Sequence, residues 1–367
     1  MVKPVKGNQV KHVLIAAGGT GGHVYPALAV ADYLREQNVQ VTWVGTEKGL
    51  EHRVVPAANI SLELITISGL RGKGILNLLF VPLKLILAIY QTIKIFLRLK
   101  PDAVLGMGGF VSGPCGLAAF ILRKPLYLHE QNAIPGLTNK VLSMLATSTM
   151  QAFPNSFKGK NNIIVTGNPI RKDISALLEP ENRLKEHKGN IHLLIIGGSL
   201  GAQALNEQVP NALSQIAKDI QPSVWHQTGK NKLAKTKSDY DKFNVEAKVT
   251  EFIEDMAEAY QWADLVICRA GALTISELAN AGVGAILVPY PYAVDDHQTA
   301  NAQYLTEAHA AIVIQQEHLI PMLKDSLVEL LDAGREKLIE MAKAARSLSK
   351  PDATQVVAEV CLGASHG

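Results

Sequence analysis

The sequence predicts an α/β fold of two consecutive Rossmann-like domains facing across a cleft, and three observations carry that expectation. An apolar strand run, a glycine-rich turn and a helix follow one another over residues 11–35, and the same pattern starts again at Ile191. The chain has 367 residues, 47% of them hydrophobic, enough to bury two cores. Between the two patterns, Gly167-Asn168-Pro169-Ile170-Arg171 reads as a hinge, because a strand at Ile163 to Val165 stops there and proline forces an extended connection. The expected domains are residues 1–168 and 169–346, with a last helix at about 347–363 that returns to the first.

In the first domain, Lys11 to Ala17 form the opening strand and Gly18-Gly19-Thr20-Gly21-Gly22-His23 the turn, with Pro26 in the first helical turn, where proline is tolerated. Val39 to Val44 supply the next strand. The turn suits a phosphate, yet Val24 stands where GxGxxG needs its last glycine, so neither a dinucleotide fingerprint nor a Walker A loop is satisfied. That disfavours a nicotinamide-dependent dehydrogenase. His23, at the mouth of the turn, is either a structural histidine or a general base.

Residues 75–97, ILNLLFVPLKLILAIYQTIKIFL, are unusually apolar and bordered by Arg71, Lys73, Arg98 and Lys100. Pro82, Lys84 and Lys94 interrupt them, so no piece reaches the roughly 20 uncharged apolar residues of a bilayer span. The segment is either a core helix or an apolar surface ringed by cations that lies in a membrane interface. In the second case Ile75, Leu79, Phe80, Lys84 and Phe120 are the contact candidates. Ala103 to Leu105 then lead into a second glycine loop, Gly106 to Pro114, and the strand Leu126 to Leu128 ends in His129-Glu130-Gln131-Asn132.

The second domain opens with Ile191 to Ile196, Gly197-Gly198-Ser199-Leu200-Gly201-Ala202 and a helix from Gln203. Its densest stretch is Ala263 to Asn301. Leu265 to Cys268 make a strand, Arg269 to Ala272 a turn, and Thr274 to Ala281 a helix. Small residues leave the first helical N–H groups bare, and those groups carry partial positive charge, so the turn can hold a diphosphate without a metal ion. Glu277 either accepts from vicinal hydroxyls, as an acid does for ribose in nucleotide folds, or closes a capping box with Thr274. The strand Ala285 to Val288 is followed by Asp295-Asp296-His297-Gln298 and Asn301, at the carboxyl edge where open parallel sheets bind ligands. Amide, imidazole and carboxylate groups without a cysteine suit sugar hydroxyls, which makes a sugar nucleotide the first hypothesis. Ile253 can offer its backbone to a base ring. Asp239-Tyr240-Asp241 mimics a DxD metal site, but it follows no strand and lies among Lys235, Lys237 and Lys242, so no metal is assigned to it.

Composition narrows the class. Cys115, Cys268 and Cys361 are widely spaced and odd in number, which fits a reducing compartment, and the first apolar run, Val13 to Ala17, is too short for a signal peptide. Net charge is +3, yet residues 1–168 carry 17 Lys+Arg against 7 Asp+Glu, and residues 169–367 carry 19 against 26. A basic first half fits an anionic partner. Low aromatic content and the lack of any nucleic-acid motif make nucleic acid the weakest choice.

Taken in order, GGTGGHVYPALAVA, ISGLRGKG, PDAVLGMGGFVSGP, HEQNAIPGLTNK, GNPIR, GGSLGA, RAGALTISE and DDHQTANA resemble the MurG family over nearly the whole chain. These are the N-acetylglucosaminyltransferases that convert lipid I to lipid II in bacterial peptidoglycan synthesis. The resemblance implies a GT-B fold whose second domain holds UDP-N-acetylglucosamine, the first taking the lipid acceptor at the membrane. It implies that Ile253 meets uracil, Glu277 the ribose, Ser199 with Ala272, Leu273, Thr274, Ile275 and Ser276 the diphosphate region, Arg171 the phosphates, and Gln298 the sugar. Thr20, Gly21, Gly22 and Asn132 would complete the donor site, and Gly108, Gly109, Ser112 and Glu130 would receive the acceptor. Phe110 stands where some members carry tyrosine, so no hydroxyl role transfers to it. The implied reaction is a single inverting displacement with His23 as base or as a positioning group, and with no cofactor and no metal. Implied partners are UDP-N-acetylglucosamine, lipid I and an anionic membrane surface, with cell-wall and division proteins as further candidates. The implied location is peripheral, on the cytoplasmic face of the inner membrane. A UDP-N-acetylglucosamine 2-epimerase-like enzyme and a non-catalytic UDP-sugar-binding protein are the competing readings.

Overall fold

The computed structural model describes residues 10–67, 81–160, 163–198 and 201–364. The chain divides into two compact units, Met1–Ile170 with Asp352–Gly367, and Arg171–Pro351.

The first unit is built on seven parallel strands, β1 (His12–Ala16), β2 (Gln40–Gly45), β3 (Ser61–Leu64), β4 (Ala103–Gly106), β5 (Leu126–Glu130), β6 (Ser148–Gln151) and β7 (Ile163–Val165), in the order β3-β2-β1-β4-β5-β6-β7. All five residues of β1 are buried, because helices cover both faces and a parallel strand between them needs no polar side. On one face, Val24, Ala27, Val30, Ala31 and Leu34 of helix Gly21–Glu36 pack with Val357, Ala358, Val360 and Cys361 of the last helix, Ala353–Cys361. Pro26 lies in that first helix one turn deeper than expected, since the helix already starts at Gly21. On the other face, Ala88, Ile95 and Phe96 of helix Val81–Leu99 pack with Cys115, Ala118 and Ala119 of helix Ser112–Ile121 and with Leu142 of helix Leu137–Leu142.

Helix Val81–Leu99 runs unbroken through Pro82, which occupies a first-turn position where no intrahelical N–H is required. It serves the core with one side only. Leu83, Ile86, Leu87 and Tyr90, at the i, i+3, i+4, i+7 spacing of one face, remain 65, 63, 45 and 54% exposed. Lys84 is exposed among them, and Lys94 sits over the Tyr90 ring. Phe120 and Ile121, at the end of the neighbouring helix, are exposed too. Ile75, Leu79 and Phe80 lie outside the described residues. Among those described, no helix is long and apolar enough to cross a membrane.

The second unit has six parallel strands, β8 (His192–Ile196), β9 (Ser223–Gln227), β10 (Lys248–Thr250), β11 (Leu265–Cys268), β12 (Gly284–Leu287) and β13 (Ala311–Val313), in the order β10-β9-β8-β11-β12-β13. Register pairs Ala16 with Gly106 in the first sheet and Ile196 with Cys268 in the second, so β1 and β4 end level, as do β8 and β11. In each sheet the strand order reverses between those two strands. The turns that follow them therefore lie at topological switch points, where parallel sheets leave room for a ligand. The lysine-rich stretch holds helix Leu233–Lys242, in which Tyr240 is buried and Asp239 pairs with Lys235 at 2.8 Å.

Candidate functional site

In the first unit the two glycine loops interlock at the ends of β1 and β4. Gly108 and Gly109 take positive φ of 91° and 81°, and neither has room for a side chain. A Cβ on Gly109 would stand 2.2 Å from the Gly18 carbonyl, and one on Gly108 2.7 Å from Cδ2 of His23. Ser112 Oγ lies 2.9 Å from the carbonyls of Ala16 and Gly108, so its single hydrogen is shared between the loops. Thr20 caps the helix through its backbone, its carbonyl accepting from the His23 and Val24 N–H groups at 3.1 and 3.2 Å. Gly21 and Gly22 open the helix, where N–H groups lack an intrahelical partner and point outward. His23 is half-buried at this rim.

Glu130 closes β5 and is turned inward. Its Oε1 accepts from the Asn132 backbone and side chain at 2.9 and 3.3 Å, and its Oε2 from Gly136 N and Asn139 Nδ2 at 3.2 and 2.9 Å. Burial pushes this carboxyl up, and the four hydrogen bonds pull against it. Glu130 thus shapes the loop that presents Asn132. A second buried acid, Glu51, belongs to no motif legible in the sequence; it accepts from Gly19 N at 3.0 Å and from Thr46 N and Oγ1 at 2.9 Å each, from beneath the first glycine turn.

In the second unit, β11 runs through Arg269 and Ala270 into helix Ala272–Ala281, capped by the backbone of Gly271 alone. Thr274 is therefore the third helical residue and forms no capping box with Glu277, which falls in the second turn. Glu277 is buried, accepts from the Tyr260 hydroxyl at 3.0 Å, and meets Arg171 Nη2 at 3.7 Å. Burial raises its carboxyl, while the Arg171 guanidinium and the Tyr260 hydroxyl pull it down. Ala272, Ile275 and Ser276 are buried, with Ser276 Oγ donating to the Ala272 carbonyl at 3.0 Å, and Leu273 and Thr274 are half-buried on the outer side. After β12, Gln298 Oε1 accepts from Tyr290 N at 2.9 Å and Asn301 Nδ2 donates to the Ala270 carbonyl at 3.2 Å. The first bond closes the segment after β12 on itself, and the second ties it to the turn before helix Ala272–Ala281. Ile253 is buried beyond β10, and Ser199 lies outside the described residues. Tyr260 is the partner that no sequence pattern announced.

At the opposite, amino-terminal edge of the second sheet, His187, His192 and Asp264 cluster within metal-ligand range. Asp264 already accepts from His187 Nδ1 at 2.7 Å, His192 N at 2.8 Å and Arg335 Nη2 at 2.9 Å. A guanidinium occupies the place that a cation would take, and the cluster reads as a tie between β8, β11 and helix Gly334–Ser347.

Comparison with known proteins fits this geometry. Residues 13–151 match the glycosyltransferase family 28 N-terminal domain and residues 192–357 the family 28 C-terminal domain. A relative from Marinobacter nauticus is 49% identical, over 97% of this chain and 98% of its own, and one from Nitrosococcus oceani 50% identical, over 97% and 99%. Both are named UDP-N-acetylglucosamine--N-acetylmuramyl-(pentapeptide) pyrophosphoryl-undecaprenol N-acetylglucosamine transferase. The crystal structure of Acinetobacter baumannii MurG is 42% identical with a TM-score of 0.83, covering 96% of this chain and 99% of that one. A UDP-GlcNAc 2-epimerase from Neisseria meningitidis, 15% identical with a TM-score of 0.65 over 95% of this chain and 98% of its own, shares the fold alone. With likeness of this extent on both units, the chain belongs to the MurG family of glycosyltransferases, of the GT-B fold.

Proposed function

We propose that this protein transfers N-acetylglucosamine from UDP-N-acetylglucosamine to the C4 hydroxyl of the N-acetylmuramyl group of lipid I, forming lipid II. The observation that carries the reading is Glu277, a buried carboxylate held by Tyr260 and Arg171 on a helix whose amino end is capped by no side chain. A carboxylate fixed in that way accepts from a ribose diol, and the helix start stabilises the diphosphate as charge develops on it. Ile253, Ala272 to Ser276, Arg171 and Gln298 complete the donor set, with Ser199.

The chemistry is one displacement. The acceptor oxygen bonds to the anomeric carbon while the bond from that carbon to the UDP oxygen breaks, its electron pair leaving with UDP. The α-linked donor becomes a β-linked product. His23 takes the proton of the attacking hydroxyl, a role suited to an imidazole with a reference pKa near 6.5. Asn132, Thr20, Gly21 and Gly22 bind neutral sugar groups, and Gly108 and Gly109 with Ser112 shape the acceptor loop. Charge on the departing UDP is met by helix dipole and guanidinium, which leaves no step that requires a metal ion.

The exposed face of helix Val81–Leu99, with Lys84, Phe120 and Ile121 beside it, holds the protein at an anionic membrane surface without spanning it. The deciding experiment follows UDP release with and without a lipid I analogue, in EDTA, and reads the product anomer by NMR. Acceptor-dependent release of a β-linked disaccharide, indifferent to chelation, is expected. Acceptor-independent release with N-acetylmannosamine would establish an epimerase instead, and tight UDP binding without turnover a binding protein.

A further inference from the structure

Helix Ala272–Ala281 ends at Gly282, whose φ of 62° makes a left-handed cap. The cap uses two carbonyls: Leu278 accepts from Val283 N at 3.2 Å and Ala279 from Gly282 N at 3.3 Å. The carbonyls of Asn280, Ala281 and Gly282 go to guanidinium groups instead. Arg183, on helix Pro180–Glu186, donates from Nη1 to Ala281 and from Nη2 to Gly282, each at 2.6 Å. Arg346, on helix Gly334–Ser347, donates from Nη1 to Asn280, and from Nη2 to the Leu177 carbonyl and Glu179 Oε1 at 3.1 Å each. Packing is tight here, since a Cβ on Gly282 would stand 2.3 Å from Pro180 Cγ and 3.2 Å from Arg346 Cβ. Arg183 is only 3% exposed, and its acceptors are backbone carbonyls, those of Ala281 and Gly282 with Leu178 at 3.5 Å. Burial lowers its guanidinium to about 10, so it stays a cation at neutral pH.

Burying a cation against neutral acceptors costs free energy, and a left-handed glycine ends a helix without one. The two ends of this helix are therefore treated unequally: the carboxyl end is gripped by two forks, and the amino end is capped by no side chain. Direct attraction between those cations and an anion at the amino end is small. Ten residues span about 15 Å, where one charge is worth at most about sixfold in affinity at an effective dielectric near 20. Position is the larger effect, because hydrogen bonds to a charged ligand are lost when the helix shifts along its axis by about 1 Å. We infer that Arg183 and Arg346 are positioning residues that fix helix Ala272–Ala281 along its axis and so hold its amino end where the donor diphosphate is bound. The inference rests on reading that helix as the donor site.

The test compares UDP with uridine, by calorimetry on the full chain, in the native protein, Arg183→Lys and Arg346→Met. Arg183→Lys keeps the charge and loses the planar fork, so it separates position from attraction. Both variants should bind uridine within twofold of native and UDP about 10- to 100-fold more weakly, the loss of one or two charge-assisted hydrogen bonds. A role in stability alone would lower Tm and leave the UDP-to-uridine affinity ratio unchanged. A ratio within threefold of native in the folded variants, or uridine and UDP weakened alike, overturns the inference. Arg346 lies nearer the surface, with its side chain 19% exposed, so Arg346→Met decides if Arg183→Lys fails to fold. A native protein that binds uridine as tightly as UDP would overturn the donor-site reading itself, and this inference with it; a native preference for UDP that both variants keep overturns the inference alone.

Discussion

Gly109→Ala tests whether the two glycine loops of the first unit act as one piece. Two costs are separable. The first is conformational: Gly109 sits at φ +81°, where a Cβ costs about 1–2 kcal/mol. The second is steric: that Cβ would stand 2.2 Å from the Gly18 carbonyl, which is backbone and cannot rotate aside, so one loop must retreat from the other by close to 1 Å. Displacements of about 1 Å in a positioned site cost on the order of 100-fold in turnover. Gly159 supplies the control, because it has φ +74° and nothing within 4 Å of where a Cβ would stand, so Gly159→Ala carries the first cost alone. Gly109→Ala should therefore lower kcat about 100-fold, and Gly159→Ala should leave it within twofold while lowering Tm by about 2–8 °C. Steady-state UDP release and calorimetric UDP affinity make the comparison, with UDP affinity unchanged in both variants because the residues proposed to hold the uracil, ribose and diphosphate belong to the second unit. If Gly109→Ala kept turnover within threefold of native while folded, the loops would not be coupled, and their close approach would have no bearing on catalysis.

Tyr260→Phe removes the hydroxyl that Glu277 accepts at 3.0 Å in a buried place, and a hydrogen bond to a charged group is worth about 1.5–3 kcal/mol. UDP affinity measured by calorimetry should drop about 10- to 100-fold, and an unchanged affinity would remove Glu277 from the donor site. Burial lowers the His129 ring to about 4 and His226 to about 3, whereas both protonate near 6.5 in the unfolded chain. The unfolded state then binds more protons between those values, so this stability is present above pH 6.5 and is lost as pH falls below it, by about 2 kcal/mol per ring at pH 5. Imidazole signals that titrate near 6.5 in the folded protein would contradict this. Replacing Leu83 and Ile86 by Asp should abolish sedimentation with anionic vesicles and leave UDP affinity intact; retained sedimentation would move the membrane contact elsewhere.

The parallel sheets and their glycine turns were legible because their causes are local. A strand covered on both faces reads as an unbroken apolar run, as HVLIA and LVIC do, and a turn that needs positive φ or close approach reads as glycine. Helix starts were less legible. Thr274 and Glu277 have the spacing of a capping box, but Gly271 caps the helix, and those three residues move Glu277 from the first turn to the second. The strongest limit concerns carboxylates. Glu51, Glu130 and Glu277 are one letter in the sequence and all three are buried, yet the fold brings different donors to each. Glu130 draws all of its donors from within nine residues along the chain, so its inward turn was in principle readable. Glu51 draws on Gly19, 32 residues away, and Glu277 on Tyr260 and Arg171, partners that only the sheet topology brings near. The donors then decide what each acid can do. Glu51 and Glu130 are saturated by N–H, amide and hydroxyl groups of nearby loops and, for Glu130, of helix Leu137–Leu142, so they fix backbone. Of the three only Glu277 has a cation, at 3.7 Å, a longer contact that a ligand hydroxyl can enter, which is why an acid suited to a substrate hydroxyl cannot be picked out until its neighbours are known.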